Sequence, residues 1–272
     1  MSFSHIEREE NMYRNNGVLV VALAAVVLAW TLPVASADEA LDKAFEALKT
    51  YDWGQDRGVL KPIDTAIAAS NKDPAAQKAL EKRLAAPLAT DVSGATKDFV
   101  CRQLSLIGSA QCVPAVAPLL TDEKLSHMAR YALERIPAPE AVKAMRDSLA
   151  KAKGRVKVGV INSLGVRRDV ESTAALAALV KDSDQQVAAA AAAALGAIGT
   201  TQAAKDLAAF RASAPKPLQL AAADAQLTCA ERLLAAGKRV EAMAIYKGLS
   251  KSKYKHVRLA AMRGLLAATG KK

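Results

Sequence analysis

The sequence predicts an all-α solenoid of stacked antiparallel helical hairpins, and three observations carry that reading. Four stretches overlay with Leu104, Leu133, Leu164 and Leu195 in register, stepping by 29, 31 and 31 residues; a fixed step of this size marks a repeat of one supersecondary unit. Each copy holds an apolar helix, a short break bearing Gly or Pro, and a second apolar helix: Leu164-Gly165-Val166 falls over Leu195-Gly196-Ala197, and Leu176 over Leu207. Composition agrees, with 51% hydrophobic residues but only 4% aromatic. Such a chain folds yet has few large anchors for a globular core, as suits a thin stack lined by alanine. A helix of about 13 residues spans roughly 20 Å and is not stable alone in water, so the copies must bury their faces on one another.

The first forty residues read as an export leader. Val18 to Leu32 is an apolar run interrupted only by Thr31, ended by Pro33 and followed by Ala35-Ser36-Ala37 before Asp38-Glu39. A spanning helix needs about 20 apolar residues, whereas a shorter core followed by small residues suits a signal peptidase. Cleavage is expected after Ala37. Glu7, Glu9 and Glu10 are unusual ahead of such a core, but Met12 followed by Arg14 gives a basic start, so Met12 is read as the true first residue. An uncleaved anchor counted from Gly17 to Ser36 is the competing reading. The expected location is the periplasm or the cell exterior.

From residue 38 to 92 the sequence predicts a helical cap or divergent repeat outside the four-copy register. Ala40 to Tyr51 carries Leu41, Phe45 and Leu48 on one stripe, Tyr51-Asp52-Trp53-Gly54 breaks it, and Val59 to Ala69 resumes with Pro62 early. Asp73-Pro74 pairs an N-cap acceptor with proline at the first helical position, starting a helix that runs to about Pro87. Phe45 and Trp53 are expected to close the core at this end.

Residues 93–213 hold the repeats. The segment from Val187 to Gly199, with seven consecutive alanines before Leu195-Gly196-Ala197-Ile198-Gly199, resembles the first helix and turn of HEAT repeats, in the short form also found in phycobilisome lyases. Val257 to Gly270 has the same first-helix pattern with only two lysines after it. That resemblance implies a fold used for scaffolding or recognition and transfers no catalytic residue. Low complexity is the other reading of the alanine run, but alanine is the best helix former and close helix approach favours small side chains.

The last segment, residues 214–272, is predicted as helices over Leu220 to Ala236, Arg239 to Leu249 and His256 to Ala268. The stretch Ala230 to Tyr246 resembles a tetratricopeptide hairpin, with Gly237 at the turn and Ala242 and Tyr246 at packing positions. The final helix has no partner helix after it, so it either caps the stack or offers a free face to another chain.

Charge is uneven. The chain carries a formal net +11, and from Gly237 to Lys272 ten basic residues stand against Glu241 alone. Lys247, Lys251, Lys253, Lys255 and Arg258 are the densest part, with Tyr254 among them. Such a patch attracts polyanions most strongly at low salt, although a terminal repeat also needs a polar outer face for solubility. Arg167 and Arg168 sit in a hairpin turn where a ridge of turns can touch a partner; a solvated turn is the plainer reading. Cys101 and Cys112 lie on opposite arms of one hairpin, so a disulfide needs both thiols inward at the same level, while three small buried core residues, with Cys229, is the simpler expectation.

Phosphate loop, G-x-S-x-G, H-E-x-x-H and calcium-loop patterns are absent from the sequence. Ser126 and His127 are adjacent, so on a helix their side chains diverge by about 100° and do not form a nucleophile and base. The sequence therefore predicts a non-catalytic exported scaffold without a cofactor, binding a protein or an anionic envelope polymer. A nucleic-acid-binding solenoid is the first alternative, disfavoured by the leader. A protein resembling tetrapyrrole lyases is the second, disfavoured by the few aromatics. Membrane attachment is expected only through an uncleaved leader.

Overall fold

The computed structural model describes residues 37–270, so the leader and the proposed start at Met12 lie outside the described residues, as do Lys271 and Lys272. Among the described residues there are fourteen α-helices and no strand. They run α1 (Ala37–Thr50), α2 (Lys61–Ala69), α3 (Pro74–Ala85), α4 (Gly94–Ile107), α5 (Val113–Val116), α6 (Ser126–Leu133), α7 (Pro139–Leu149), α8 (Gly154–Val166), α9 (Thr173–Leu179), α10 (Gln185–Ile198), α11 (Thr201–Ser213), α12 (Gln219–Ala235), α13 (Arg239–Leu249) and α14 (Lys255–Thr269).

Local chemistry sets the ends. At α3, Asp73 accepts from the amides of Ala75 and Ala76 at 3.0 Å each and Pro74 occupies the first turn. The helix stops at Ala85, where a 3-10 turn over Ala86–Ala89 accommodates Pro87. Asp184 caps α10 through the Gln186 amide, and Gly199, at φ 67°, closes it in the left-handed conformation.

The helices pair as hairpins whose first members, α4, α6, α8, α10, α12 and α14, stack side by side. Their direction follows from the links between neighbours. Arg130 reaches the Gly159 carbonyl, Ser163 donates to Glu134 and Arg167 donates to the Ile136 carbonyl, 29, 29 and 31 residues apart. Further along, Gln219 pairs with Lys253 and Asp224 with His256, 34 and 32 apart. Rising numbers pair with rising numbers, so these helices are parallel and in register. The four register leucines, Leu104, Leu133, Leu164 and Leu195, are fully buried along the ladder.

The alanine run is packed helix: Ala188, Ala190, Ala191, Ala192 and Ala194 are all buried. It lets α8, α10 and α12 approach closely. A Cβ added at Gly196 would stand 2.5 Å from the Ala225 carbonyl oxygen of α12, so only glycine fits at that crossing.

At the N-terminal end Phe45, Leu48, Tyr51, Leu60, Ile63 and Leu84 form the core. Trp53 does not join them and is 65% exposed, because the Asp52–Gly54 turn holds its amide on Asp52 Oδ1 and swings the ring outward. Phe45 is covered instead by the Arg83 guanidinium, 4.0 Å above the ring. Cys101 and Cys112 do not form the alternative bridge; they and Cys229 are buried free thiols, as the simpler expectation had it. Cys112 Sγ lies in a 3-10 turn against the Ser109 carbonyl at 3.3 Å. Glu81 on α3 satisfies that turn, accepting from the Ser109 and Cys112 amides at 2.8 and 3.0 Å.

At the other end the hairpin of α12 and α13 turns at Gly237, φ 78°, and buries Ala242 and Tyr246 as the tetratricopeptide pattern implied. The Tyr246 ring lies over Gly264 of α14, where a Cβ would fall 2.3 Å from Cζ. The outward face of α14 leaves Leu259, Met262 and Leu266 exposed.

Candidate functional site

Because the first helices of successive hairpins are parallel, their N-terminal ends, and the turns that enter them, form one edge of the stack. That edge gathers cations scattered along the sequence. Lys124 precedes α6; Lys151, Lys153 and Arg155 surround the start of α8; Lys181 precedes α10; Lys216 precedes α12; Lys251, Lys253 and Lys255 lead into α14. All are exposed, and the acids of the same turns are Asp122, Glu123, Asp182 and Asp184. Three of those four are engaged locally. Asp122 accepts from the Lys124 and Leu125 amides, Asp184 caps α10, and Asp182 accepts the Asp184 amide and pairs with Lys157 at 3.7 Å. With packed helix axes about 8–10 Å apart, five such turns extend over about 40 Å. The helix ends add partial positive charge of the same sign.

The basic C-terminal segment is thus the end of a longer row, and the structure divides its members. Lys247, Lys251 and Lys255 are exposed without a side-chain partner among the described residues. Lys253 donates to Gln219 Oε1 at 2.8 Å and lies 5.1 Å from the Tyr254 ring centroid. Arg258 is half-buried and donates to the Ser252 carbonyl at 2.8 Å, bracing the turn before α14.

Arg167 and Arg168 part company entirely. Arg167 Nη1 donates to the carbonyls of Leu133, Glu134 and Ile136 at 3.5, 3.1 and 2.6 Å, so it closes the C-terminal end of α6 rather than facing a partner. Arg168 is exposed at φ 50°. Beside them Asp169 is buried and receives Arg146 Nη1 of α7 at 2.6 Å. Both arginines lie on the opposite edge from the lysine row.

The edge also contains a cleft between α6 and α8, of about 590 Å³, lined by Glu123, Ser126, His127, Arg130, Lys153, Gly154, Arg155 and Val156. Sequence reasoning missed it, because its lining comes from two hairpins whose members share no local motif. Ser126 is buried with its hydroxyl on the Leu120 carbonyl at 2.8 Å, while His127 points into the cleft. The three thiols offer no nucleophile. Burial, then Asp98, pushes Cys101 up to about 12; burial, then Glu81, does the same to Cys112, and burial raises Cys229 to about 11. Among the described residues no cluster of three His, Cys, Asp or Glu side chains is placed to hold a metal, and no helix is long and apolar enough to cross a membrane.

None of the curated protein sequences matches the chain. Among solved structures it is similar to human deoxyhypusine hydroxylase in complex with glycerol, at 15% identity and a TM-score of 0.37, over 86% of this chain and 98% of that one. Residues 151–226, which take in α8 to α11 and the first part of α12, match the family model of HEAT repeats, and this is the stretch in which the first helices of the ladder pack most closely.

Proposed function

We propose that the chain is a non-catalytic scaffold that holds an anionic partner, a protein or an envelope polymer, along the edge formed by its inter-repeat turns. The observation that carries this reading is the alignment of Lys124, Lys153, Arg155, Lys181, Lys216 and Lys251 on one side of a parallel helix ladder. Contact spread over several repeats gives affinity without a deep pocket, and the row of cations steers the encounter. Export to the periplasm belongs to the same proposal and is supported by Val18 to Leu32 followed by Ala35-Ser36-Ala37; it removes cytoplasmic nucleic acid as a partner.

The test is binding of the full chain to fluorescent polyglutamate and polyphosphate across a salt series, compared with Lys251, Lys253 and Lys255 all changed to Glu. The expected result is binding that weakens steeply with salt and is reduced at least tenfold by the triple change. Equal binding by the two proteins would reduce the row to a solubility device. N-terminal sequencing of the chain recovered from a bacterial periplasm tests export, with Asp38 expected as the first residue.

A further inference from the structure

We propose that the cleft between α6 and α8 is a seat for a single phosphate-class oxyanion, with Arg130 as its fixed cation and Arg155, Lys153 and His127 around its mouth. The inference deepens the edge reading and rests on it, since it names the chemical group that one point of the edge would recognise.

The argument begins with Arg130. Its Nε is buried with no hydrogen-bond partner. Its Nη1 makes only long contacts, to the Gly159 carbonyl at 3.3 Å and to Ser163 Oγ at 3.4 Å. Those contacts do not balance a cation, and Arg130 forms no ion pair with a described residue. The nearest compensation is Glu134, whose carboxylate is engaged by Ser163 Oγ at 2.5 Å. Burial consequently lowers the pKa of Arg130 against the opposing pull of Glu134. Removing one partner from a buried charge is costly, so a half-buried guanidinium left this way is poised to gain from an added anion.

The guanidinium is also seated by design of the neighbouring helix. A Cβ at Gly159 would lie 2.7 Å from Arg130 Cζ and 2.8 Å from Nε and Nη2, so the planar group rests directly on the α8 backbone. Lining the same cleft are Lys153 and Arg155 from the start of α8, both exposed and without a side-chain partner among the described residues, and His127 from α6. Glu123 is the single acid in the lining. The cap position of α8 is Lys153, which offers no side-chain acceptor to the first amides of that helix, leaving them as further donors. Several cations around one volume favour a doubly charged oxyanion over a single carboxylate, and Arg geometry suits phosphate oxygens.

Isothermal titration of inorganic pyrophosphate into the full chain at low salt tests this, with acetate as the carboxylate comparison. Saturable one-to-one binding is expected, with acetate weaker by at least about tenfold. Arg155→Ala, an exposed change that does not endanger folding, should weaken pyrophosphate several-fold, and Arg130→Met at least about tenfold. The variant with Lys251, Lys253 and Lys255 changed to Glu should bind pyrophosphate within about twofold of wild type, as those lysines lie outside the cleft. Absence of saturable binding overturns the proposal, as does undiminished binding by Arg155→Ala and Arg130→Met. Polyanion binding by the wild type without saturable pyrophosphate binding would mean that the seat fails while the edge stands, and saturable pyrophosphate binding without polyanion binding would mean the reverse.

Discussion

Arg167 and Arg168 are neighbours of identical chemistry, and the structure predicts opposite outcomes when each is replaced. Arg167 Nη1 donates to three carbonyls at the end of α6, the shortest at 2.6 Å. Hydrogen bonds from a charged donor contribute about 1.5–3 kcal/mol, and part-buried carbonyls stripped of a donor keep their desolvation cost. Arg167→Met retains the aliphatic stem, so its effect isolates the lost bonds, and a destabilisation of about 2–3 kcal/mol is expected. Arg168 makes no side-chain bond to a described residue and holds φ 50°, a conformation that costs a non-glycine residue about 1–2 kcal/mol. Glycine removes that strain while adding freedom to the unfolded chain, so Arg168→Gly should lie between neutral and about 1 kcal/mol stabilising. Urea unfolding of the full chain followed by circular dichroism measures both, with unchanged slopes required for the comparison. A value for Arg167→Met within about 0.5 kcal/mol of wild type, or a loss in Arg168→Gly as large as in Arg167→Met, would refute the assignment.

Gly196→Ala should destabilise the ladder by about 1–3 kcal/mol, since its Cβ would sit 2.5 Å from the Ala225 oxygen and force α10 from α12; thermal melting reads the loss. Cys101, Cys112 and Cys229 should react with Ellman's reagent only when the chain is unfolded, and labelling of the native protein at the rate of free thiols would contradict their burial. Their pKa values are raised on folding, so the unfolded chain ionises first: stability is fully present below about 9 and falls as pH rises toward about 11 to 12, which urea midpoints across that range will show. Leu266→Glu, on the exposed face of α14, should shift stability by no more than about 0.5 kcal/mol.

The ladder was legible because its signals are periodic. The leucine register, the Asp73-Pro74 start, the Gly237 turn and the bounds of α12 to α14 each rest on a residue's own backbone preference or its place in the repeat. Trp53 was misplaced because size argues for burial, whereas the turn at Gly54 aims the ring outward; only the tertiary path decides between them. Arg167 looked like a surface residue because its acceptors lie 31 to 34 positions earlier, in carbonyls that carry no side-chain signature. Arg258 was grouped with the lysines for the same reason, though its bond to the Ser252 carbonyl makes it a brace. The cleft between α6 and α8 was invisible because its cation and its cradle, Arg130 and Gly159, are joined only by the stacking of two hairpins.

The same stacking explains why one edge is a binding candidate and the other is not. On the edge formed by the turns inside each hairpin, Arg135 donates to the Tyr131 carbonyl, Arg167 closes α6, and Arg146 reaches across to Asp169 and Glu171 at 2.6 and 2.9 Å. There Arg146 and Arg167 serve cohesion between repeats and Arg135 closes its own helix end, while Arg168 is exposed. On the edge formed by the turns between hairpins, Asp184 caps α10 through the Gln186 amide, Asp122 accepts from the Lys124 and Leu125 amides of the turn before α6, and the lysines face solvent. A capping Asp stabilises its helix start and keeps its negative charge, so the positive balance of this edge comes from its cations outnumbering its acids. Exchanging Asp184 for Asn keeps the capping acceptor but removes the negative charge, and should therefore strengthen polyanion binding at low salt with little change in stability; weaker binding would show that the edge does not act through its summed charge.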